Sequence, residues 1–437
     1  MLHIDFINRM KEYLGDEFDD FIKSYDDENV RSFTVNDKYI STNEFMNIFN
    51  YKINKIPYLN NAFYLCEDDL KLGFHPLHHA GAFYMQDPSA MIPARSIDIK
   101  PDSLVLDLCS APGGKSIQLA LKAYNGAVIS NEIDFKRAQI LYSNIERMGL
   151  NNVVVTNNKP SDFLKDFKNK FDVILVDAPC SGEGMFRKYP NAVSEWSLDN
   201  VINCQKRDID ILDSANLLLK DGGILIYSTC TFAREENEDM VSYLTEKYGY
   251  SVVSIKDEFK PFLKEGFIPN TYRFYPHIAK GEGQFVAVLK KNGGYVEGLK
   301  PYKKVTKINE FDEFCKKFLT DKIDNIYRRG DDVFYMALPV ELSSLKVLNY
   351  GVKLGEVYNK RFIPNHNFFK AFSHLFKSQL NLSYTDPLVS KYLHGEQINA
   401  EVNNGYGVIF INGIPLGGYK ANNNILNNLY PKGLRNF

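Results

Sequence analysis

Two short apolar runs, each closing on a cysteine, constrain this chain more than any other feature. Asp172-Val-Ile-Leu-Val-Asp177 breaks into Ala178-Pro179-Cys180-Ser181-Gly182-Glu183-Gly184, and Gly223-Ile-Leu-Ile-Tyr-Ser228 ends in Thr229-Cys230-Thr231. Runs this short, bounded by Gly, Pro and Asp, read as strands of a parallel sheet covered on both faces. Ligands of such sheets bind beyond the carboxyl ends of the strands, so both thiols are expected to face one crevice.

The surrounding pattern alternates strand and helix from Asp102 onward. Leu104-Val-Leu-Asp107-Leu108 reads as a first strand, Cys109-Ser-Ala-Pro-Gly-Gly-Lys-Ser116 as the turn after it, and a helix from near Lys115 carries Ile117, Leu119, Ala120 and Leu121. The glycine pair lets backbone pass close to a ligand, and the helix N-terminus offers free N–H groups to a negative or polar group. That combination suits a nucleotide-like cofactor. The turn is neither GxGxxG nor GxxxxGK[ST], which argues against dinucleotides and nucleoside triphosphates. A second strand, Ala127-Val-Ile-Ser130, ends in Asn131-Glu132, about 25 residues beyond Asp107, where an acid can accept hydrogen bonds from two ribose hydroxyls. Glu132 could instead belong to the cap region before the helix of Ala138, Leu141 and Ile145, which Asp134 precedes. Asp199 to Lys220 reads as a long amphipathic helix with Ile209, Leu212, Ala215 and Leu219 inward, and Arg273–His277 with Glu282–Leu289 as a strand pair closing the unit.

Composition limits what this unit can belong to. A chain of 437 residues, 44% apolar, has room for two to four domains. Its 52 basic and 54 acidic side chains nearly cancel, so any nucleic-acid surface must be a local patch. The six cysteines (Cys66, Cys109, Cys180, Cys204, Cys230, Cys315) show neither CxxC nor metal spacing, which points away from a disulfide scaffold or a metal and toward a reducing, cytoplasmic setting. Leu2, Phe6, Ile7, Met10, Tyr13 and Leu14 share one face of an amphipathic helix, not the uncharged core of a signal peptide. No run approaches the roughly 18 apolar residues of a membrane span. His78 and His79 lack neighbouring ligands and read as a turn leading into a helix, while Gln86-Asp-Pro-Ser89 reads as the cap of a helix carrying Ala90, Met91, Ile92 and Ala94.

Three of these stretches resemble, in order and spacing, the motifs of the Sun/nucleolar-protein family of RNA cytosine carbon-5 methyltransferases. They are Asp107-Leu-Cys-Ser-Ala-Pro-Gly-Gly-Lys-Ser116, Asp177-Ala-Pro-Cys-Ser-Gly-Glu-Gly184, and Tyr227-Ser-Thr-Cys-Thr231 followed by Glu235-Glu-Asn-Glu238. Within that family the chain is most similar to the bacterial RsmF-type enzymes of 16S ribosomal RNA, over nearly its whole length and more loosely in the flanks. The resemblance implies an α/β protein. A Rossmann-like class I methyltransferase domain would span 93–292, after an N-terminal α/β RNA-recognition domain over 1–92 and before a small α/β domain over 305–375 and a PUA-like RNA-binding domain over 382–437. It implies S-adenosylmethionine lined by Cys109, Ser110, Ala111, Pro112, Gly113, Gly114 and Lys115. Glu132 would hold the ribose, Asp177 would lie near the methionyl end, and Arg137 would stand beside the cofactor or be only a solvated helix residue. Where many members have an acid near the adenine, this chain has Thr156-Asn-Asn-Lys-Pro160, so Asn157 or Asn158 stands in as an amide.

The implied chemistry explains the two thiols. Carbon-5 of cytosine is a poor nucleophile until a thiolate adds to carbon-6; afterwards the carbon-5 proton must leave and the enzyme must be released. By resemblance Cys230 attacks, Cys180 assists release, and Asp177 orients the base or the proton transfer. DNA cytosine methyltransferases resemble this site in using a Pro-Cys, and an enzyme of that type would make Cys180 the attacker. The implied partner is RNA, 16S ribosomal RNA or the small subunit ahead of transfer RNA, met by a monomer with no membrane partner; the competing class is a non-catalytic assembly factor on the same fold. Met185-Phe186-Arg187-Lys188 and Trp196 form either a patch that grips RNA phosphate and stacks a base or, for Trp196, a core anchor. Lys290 to Gly294 with Lys300, Lys303, Lys304 and Lys307 reads as a linker, on the RNA path or a plain tether. Tyr406–Gly413 reads as a strand with turns at Gly413 and Gly417-Gly418, and Lys420, Lys432 and Arg435 are candidate phosphate contacts.

Overall fold

The structure is a computed structural model and describes residues 2–67, 70–294 and 307–435. Lys300, Lys303 and Lys304 of the basic linker lie outside the described residues. The centre is a ten-stranded sheet whose main path runs Lys264–Glu265, Thr271–Phe274, Gln284–Lys290, Leu219–Thr229, Phe171–Asp177, Leu104–Asp107, Ala127–Asn131, Val153–Thr156 and Val347–Asn349. The inner five strands are mutually parallel, and Val105, Leu106, Val128, Ile129, Val154, Ile174, Leu175, Val176, Leu225 and Ile226 are fully buried in them. That is what continuous apolar runs require when helices cover both faces.

Register brings the cysteines together. Asp177 lies opposite Ser228 on the neighbouring parallel strand. Both chains then leave the sheet at the same end, Cys180 and Cys230 within a few residues of the exit. The pair Thr271–Phe274 and Gln284–Lys290 runs antiparallel and closes this side, as expected.

Several expectations shift by a turn or an element. The long helix is Leu198–Leu218, and its inward line is Val201, Cys204, Asp208, Ile211, Leu212 and Ala215, with Ile209 only partly buried. Leu219 already belongs to the strand that ends at Thr229. The expected helix after Gln86 is two 3-10 turns, Ser89–Met91 and Pro93–Arg95, because Pro93 has no N–H and its ring blocks a continuing α-helix. His78 and His79 lie in the short helix Pro76–His79, where burial pushes His78 down to about 3, and no metal-holding cluster occurs among the described residues. Gly413 does sit in a turn, between strands Gly405–Ile411 and Ile414–Asn422. Gly417 and Gly418 lie inside the second strand, where a side chain would strike Tyr392, His366 and the Phe369 ring.

The flanks do not stack in chain order. The helix Ile4–Leu14 packs Phe6 and Met10 with Phe21, Phe186, Trp196, Phe232 and Tyr275, against the loops that follow Cys180 and Cys230. The four-stranded sheet of residues 32–85 shares a core with the C-terminal five-stranded sheet through Phe33, Phe63, Phe83, Val389, Tyr392 and Tyr419. Buried Lys370 ties that junction by donating to the carbonyls of Ala80 (2.5 Å) and Pro415 (2.8 Å). Among the described residues, no helix is long and apolar enough to cross a membrane.

Candidate active site

The two sulfurs are 3.1 Å apart, and the Cys230 N–H donates to Cys180 Sγ at 3.3 Å. The hydrogen bond with Cys230 is the largest of several causes, burial next, that push the Cys180 thiol well up. Cys180 therefore keeps its proton and can donate it to its neighbour. Three ties hold the loops at this spacing. Gly184 N donates to Cys230 O at 2.9 Å, an approach that only glycine allows, since a Cβ there would meet Gly283 Cα at 2.5 Å. Glu236 accepts from Ser181 N (2.8 Å) and Ser181 Oγ (2.5 Å), tying the Cys180 loop to the segment after Cys230. Arg207 donates to the Pro179 carbonyl at 2.5 Å.

Sequence reasoning missed Glu236 as a tie, although it sits in the quoted Glu235-Glu-Asn-Glu238 run. Its neighbours divide the work: Glu235 pairs with Arg9 at 2.5 Å, Asn237 accepts from Thr229 Oγ1 and donates to Thr231 O, and Glu238 pairs with buried Arg273. Burial is the first cause that pushes Glu236 up to about 7, with the hydrogen bonds from Ser181 opposing it.

Asp177 stands between the thiols and the glycine turn. Its Oδ2 accepts from Lys115 Nζ at 2.6 Å, and its Oδ1 from Ser228 Oγ at 2.7 Å and Gln284 Nε2 at 3.2 Å. Lys115, expected to line a cofactor, is thus drawn onto Asp177. Ser110 donates to the Asp107 carbonyl, while Arg137 and Asn144 hold the carbonyls of Ala111 and Pro112 at 2.9 Å. Gly113 adopts φ +116°, a left-handed conformation that lets the helix Gly114–Lys122 start directly behind the turn. Asp107 lies fully buried beneath it, accepts from Ser116 Oγ at 2.6 Å, and is pushed up to about 7 chiefly by burial.

A crevice of about 500 Å³ opens at these strand ends, lined by Cys109, Glu132, Arg137, Pro179, Arg207 and Asp210 among others. The size suits a small organic ligand. Glu132 is 3% exposed; its Oε1 accepts from Asp134 N at 3.0 Å and its Oε2 lies 3.5 Å from Arg137, so both oxygens keep lone pairs for the crevice. Glu132 thus braces the turn before the helix, whose N-cap is Asp134, and also lines the crevice. Burial raises the Cys109 thiol well above its ordinary range, so it stays neutral as a wall. Asn157 is otherwise occupied: it donates to the carbonyls of Glu132 and Ile133 and accepts from Lys346 at 2.7 Å, beside the added strand Val347–Asn349. Asn158 likewise meets Lys346, through both its amide atoms. Arg207, Asp210 and Ser214, spaced along one face of Leu198–Leu218, line the crevice and were legible only as helix periodicity.

The expected aromatic and basic patch does not form. Trp196 is 3% exposed and donates to Glu183 at 3.1 Å, Phe186 is buried beside it, and Arg187 is buried in a pair with Glu282 at 3.1 Å. Trp196 is the core anchor of the two readings. Of the C-terminal cations, Lys420 is exposed above the Tyr406 ring, Lys432 is exposed, and Arg435 folds back onto the Tyr430 carbonyl.

A parallel sheet with a glycine turn, a strand-end acid and a crevice between them defines a Rossmann-like methyltransferase, and S-adenosylmethionine is its cofactor. The chain belongs to the 16S rRNA methyltransferase RsmB/F family, whose description matches residues 94–290. The N-terminal domain of 16S rRNA methyltransferase RsmF matches residues 2–88, the RsmF first C-terminal domain 313–372, and the RsmF PUA domain 379–436. Ribosomal RNA small subunit methyltransferase F of Shewanella amazonensis is 32% identical over 88% of this chain and 86% of its own length. The protein of the same name from Citrobacter koseri is 30% identical over 83% and 81%. Among solved structures, a methyltransferase homolog protein from Pyrococcus horikoshii is 26% identical, with TM-score 0.56 over 65% of this chain and 93% of that one. NSun6 from the same organism, determined with SFG, shares the fold at 22% identity and TM-score 0.59 over 66% and 98%.

Proposed function

We propose that this protein methylates carbon-5 of cytosines in RNA, 16S ribosomal RNA first, in the cytoplasm. The observation that carries this reading is the 3.1 Å sulfur pair, whose Cys180 directly follows Pro179 on the crevice wall. Bound S-adenosylmethionine supplies an electrophilic methyl group. Glu132 would hold its ribose and the turn Cys109–Gly114 its body, while Asp177, held by Lys115, Ser228 and Gln284, keeps a fixed charge between turn and thiols.

Cys230 Sγ adds to carbon-6 of a cytosine that has left its stack, and the electron pair moves to carbon-5, which takes the methyl. Cys180 gives its proton to the departing Cys230 sulfur and, as the thiolate so formed, takes the carbon-5 proton, which returns the electron pair to the ring as the carbon–sulfur bond breaks. The family resemblance supports Cys230 as attacker, with Cys180 beside it at 3.1 Å. The flanking modules would hold the RNA. The relatives' names favour the small-subunit RNA over transfer RNA.

Bisulfite mapping of total RNA from cells with and without the gene tests this. A cytosine in 16S RNA protected only in its presence is the expected result. Protection confined to transfer RNA would move the substrate, and no protected cytosine anywhere would leave an RNA-binding assembly factor.

A further inference from the structure

At the opposite end of the same helix lies a second cleft, about 600 Å³, where three parts of the chain meet. Lys38 comes from the N-terminal sheet region, Arg95 from the turns that follow it, Lys122 and Lys256 from the catalytic unit, and His374 from the C-terminal region. The helix Gly114–Lys122 has nine residues, which separates the two sites by about 13 Å along its axis.

The cleft wall carries four cations, Lys38, Arg95, Lys122 and Lys256, against two acids, Asp37 and Glu258. Lys38 is met by the Gly149 carbonyl, Lys122 by the Ile97 carbonyl at 2.9 Å, and Arg95 by Asn61 Oδ1 and Thr34 Oγ1 at 2.6 Å, all neutral acceptors. Lys256 alone has an ion-pair partner among the described residues, and that partner, Asp98, is 90% exposed at its side chain. The acids on the wall are Asp37, bonded to Asn61, and exposed Glu258. The cations also crowd each other: burial first, then Lys256 and Arg95, push Lys122 down to about 8, with Asp98 and Glu258 opposing in smaller measure. An anion entering this low-dielectric cleft would relieve that repulsion. Tyr124, 63% exposed on the rim, and Tyr58 and Phe259 on the wall add aromatic faces.

We propose that this cleft is an anion site that takes the phosphate of a nucleotide, with an aromatic rim for its base. The inference goes beyond the methyl-transfer reading and does not depend on which sulfur attacks. The phosphate could belong to a free nucleotide or to an RNA strand, and the experiment separates the two. Full-length protein is titrated calorimetrically with cytidine monophosphate, with cytidine, and with a single-stranded RNA oligonucleotide, as wild type and as Lys122→Met/Lys256→Met. A free-nucleotide site binds cytidine monophosphate but not cytidine, and loses at least about tenfold in the double variant. An RNA-backbone site leaves the mononucleotide unbound, but the variant loses about tenfold for RNA and its salt slope falls by about one unit. Lys165→Met/Lys247→Met, two exposed lysines elsewhere on the methyltransferase unit, should leave both affinities nearly unchanged. S-adenosylmethionine affinity, measured alongside, reports that the variant is folded and keeps the outcome separate from the catalytic proposal. The inference is overturned if the cleft variant binds both ligands as wild type does, or if the control pair loses as much.

Discussion

At the carboxyl ends of the central strands, the charges close to the chemistry are partnered: Lys115 with Asp177, Glu235 with Arg9, Glu238 with Arg273. Across the helix that starts there, Lys38, Arg95 and Lys122 line a cleft in which their direct hydrogen bonds go to neutral acceptors, with Asp37 and Glu258 on the same wall. The first region is built to keep two sulfur atoms in place before any ligand arrives, because partnered charges and short loop ties cost no reorganisation later. The second has a charge imbalance that folding leaves uncorrected, which is how a protein waits for an anion. Both use the same residue types. The difference lies in whether a carboxylate bonds the cation directly, which none does to Lys38, Arg95 or Lys122 among the described residues.

The largest effect expected at the first region comes from its sulfurs. Cys230→Ala should lose methyl transfer by about 10³-fold or more and form no covalent RNA adduct on a denaturing gel. Cys180→Ala should lose turnover and accumulate that adduct. An adduct in the Cys230 variant would reverse the roles.

Next in size is the buried pair. Arg273→Met leaves Glu238 without its cation and should lower stability by about 3–5 kcal/mol in chemical denaturation, whereas Lys256→Met, breaking an exposed pair at the cleft, should cost under about 1 kcal/mol. Equal losses would erase the contrast between the two ends.

Glu236 gives a pH test. Its folded value of about 7 exceeds the ordinary 4.5, so the folded state binds more protons than the unfolded one in that window. Wild-type stability therefore gains from Glu236 staying protonated below about 4.5 and loses that gain as pH rises through about 7. Glu236→Gln is neutral in both states, so its melting temperature should rise relative to wild type over the same window. A constant difference would mean that Glu236 is ionised throughout.

The smallest effect concerns Trp196. Trp196→Phe removes its bond to Glu183 and should cost about 1–2 kcal/mol while leaving RNA affinity unchanged. A fall in RNA affinity would return Trp196 to base stacking.

Much of the first region was readable along the chain. The apolar runs, their bounding Gly, Pro and Asp, and the strand-helix alternation put Cys109, Glu132, Cys180 and Cys230 at one end of one sheet, because burial on both faces leaves a local signature of consecutive apolar residues. The glycine turn was equally visible. The bond from Lys115 to Asp177 was not foreseen, and Arg187 was placed on phosphate, but it is buried against Glu282. A cation's sequence neighbours do not say which carboxylate will face it.

The same limit governs the flanks. Residues 4–14 and 32–85 adjoin in sequence, yet one packs on the catalytic loops and the other on the C-terminal sheet. A strand from near residue 347 joins the edge beside Val153–Thr156 and brings Lys346 onto Asn157, a partner the local sequence did not name. Periodicity declares that a face is apolar without naming what covers it. Secondary structure and the order of the strand ends follow from short-range patterns that the chain carries locally. The pairing of charges, the 3.1 Å between sulfurs and the cleft at the three-way junction arise from side chains far apart in the chain, whose meeting depends on how whole layers pack.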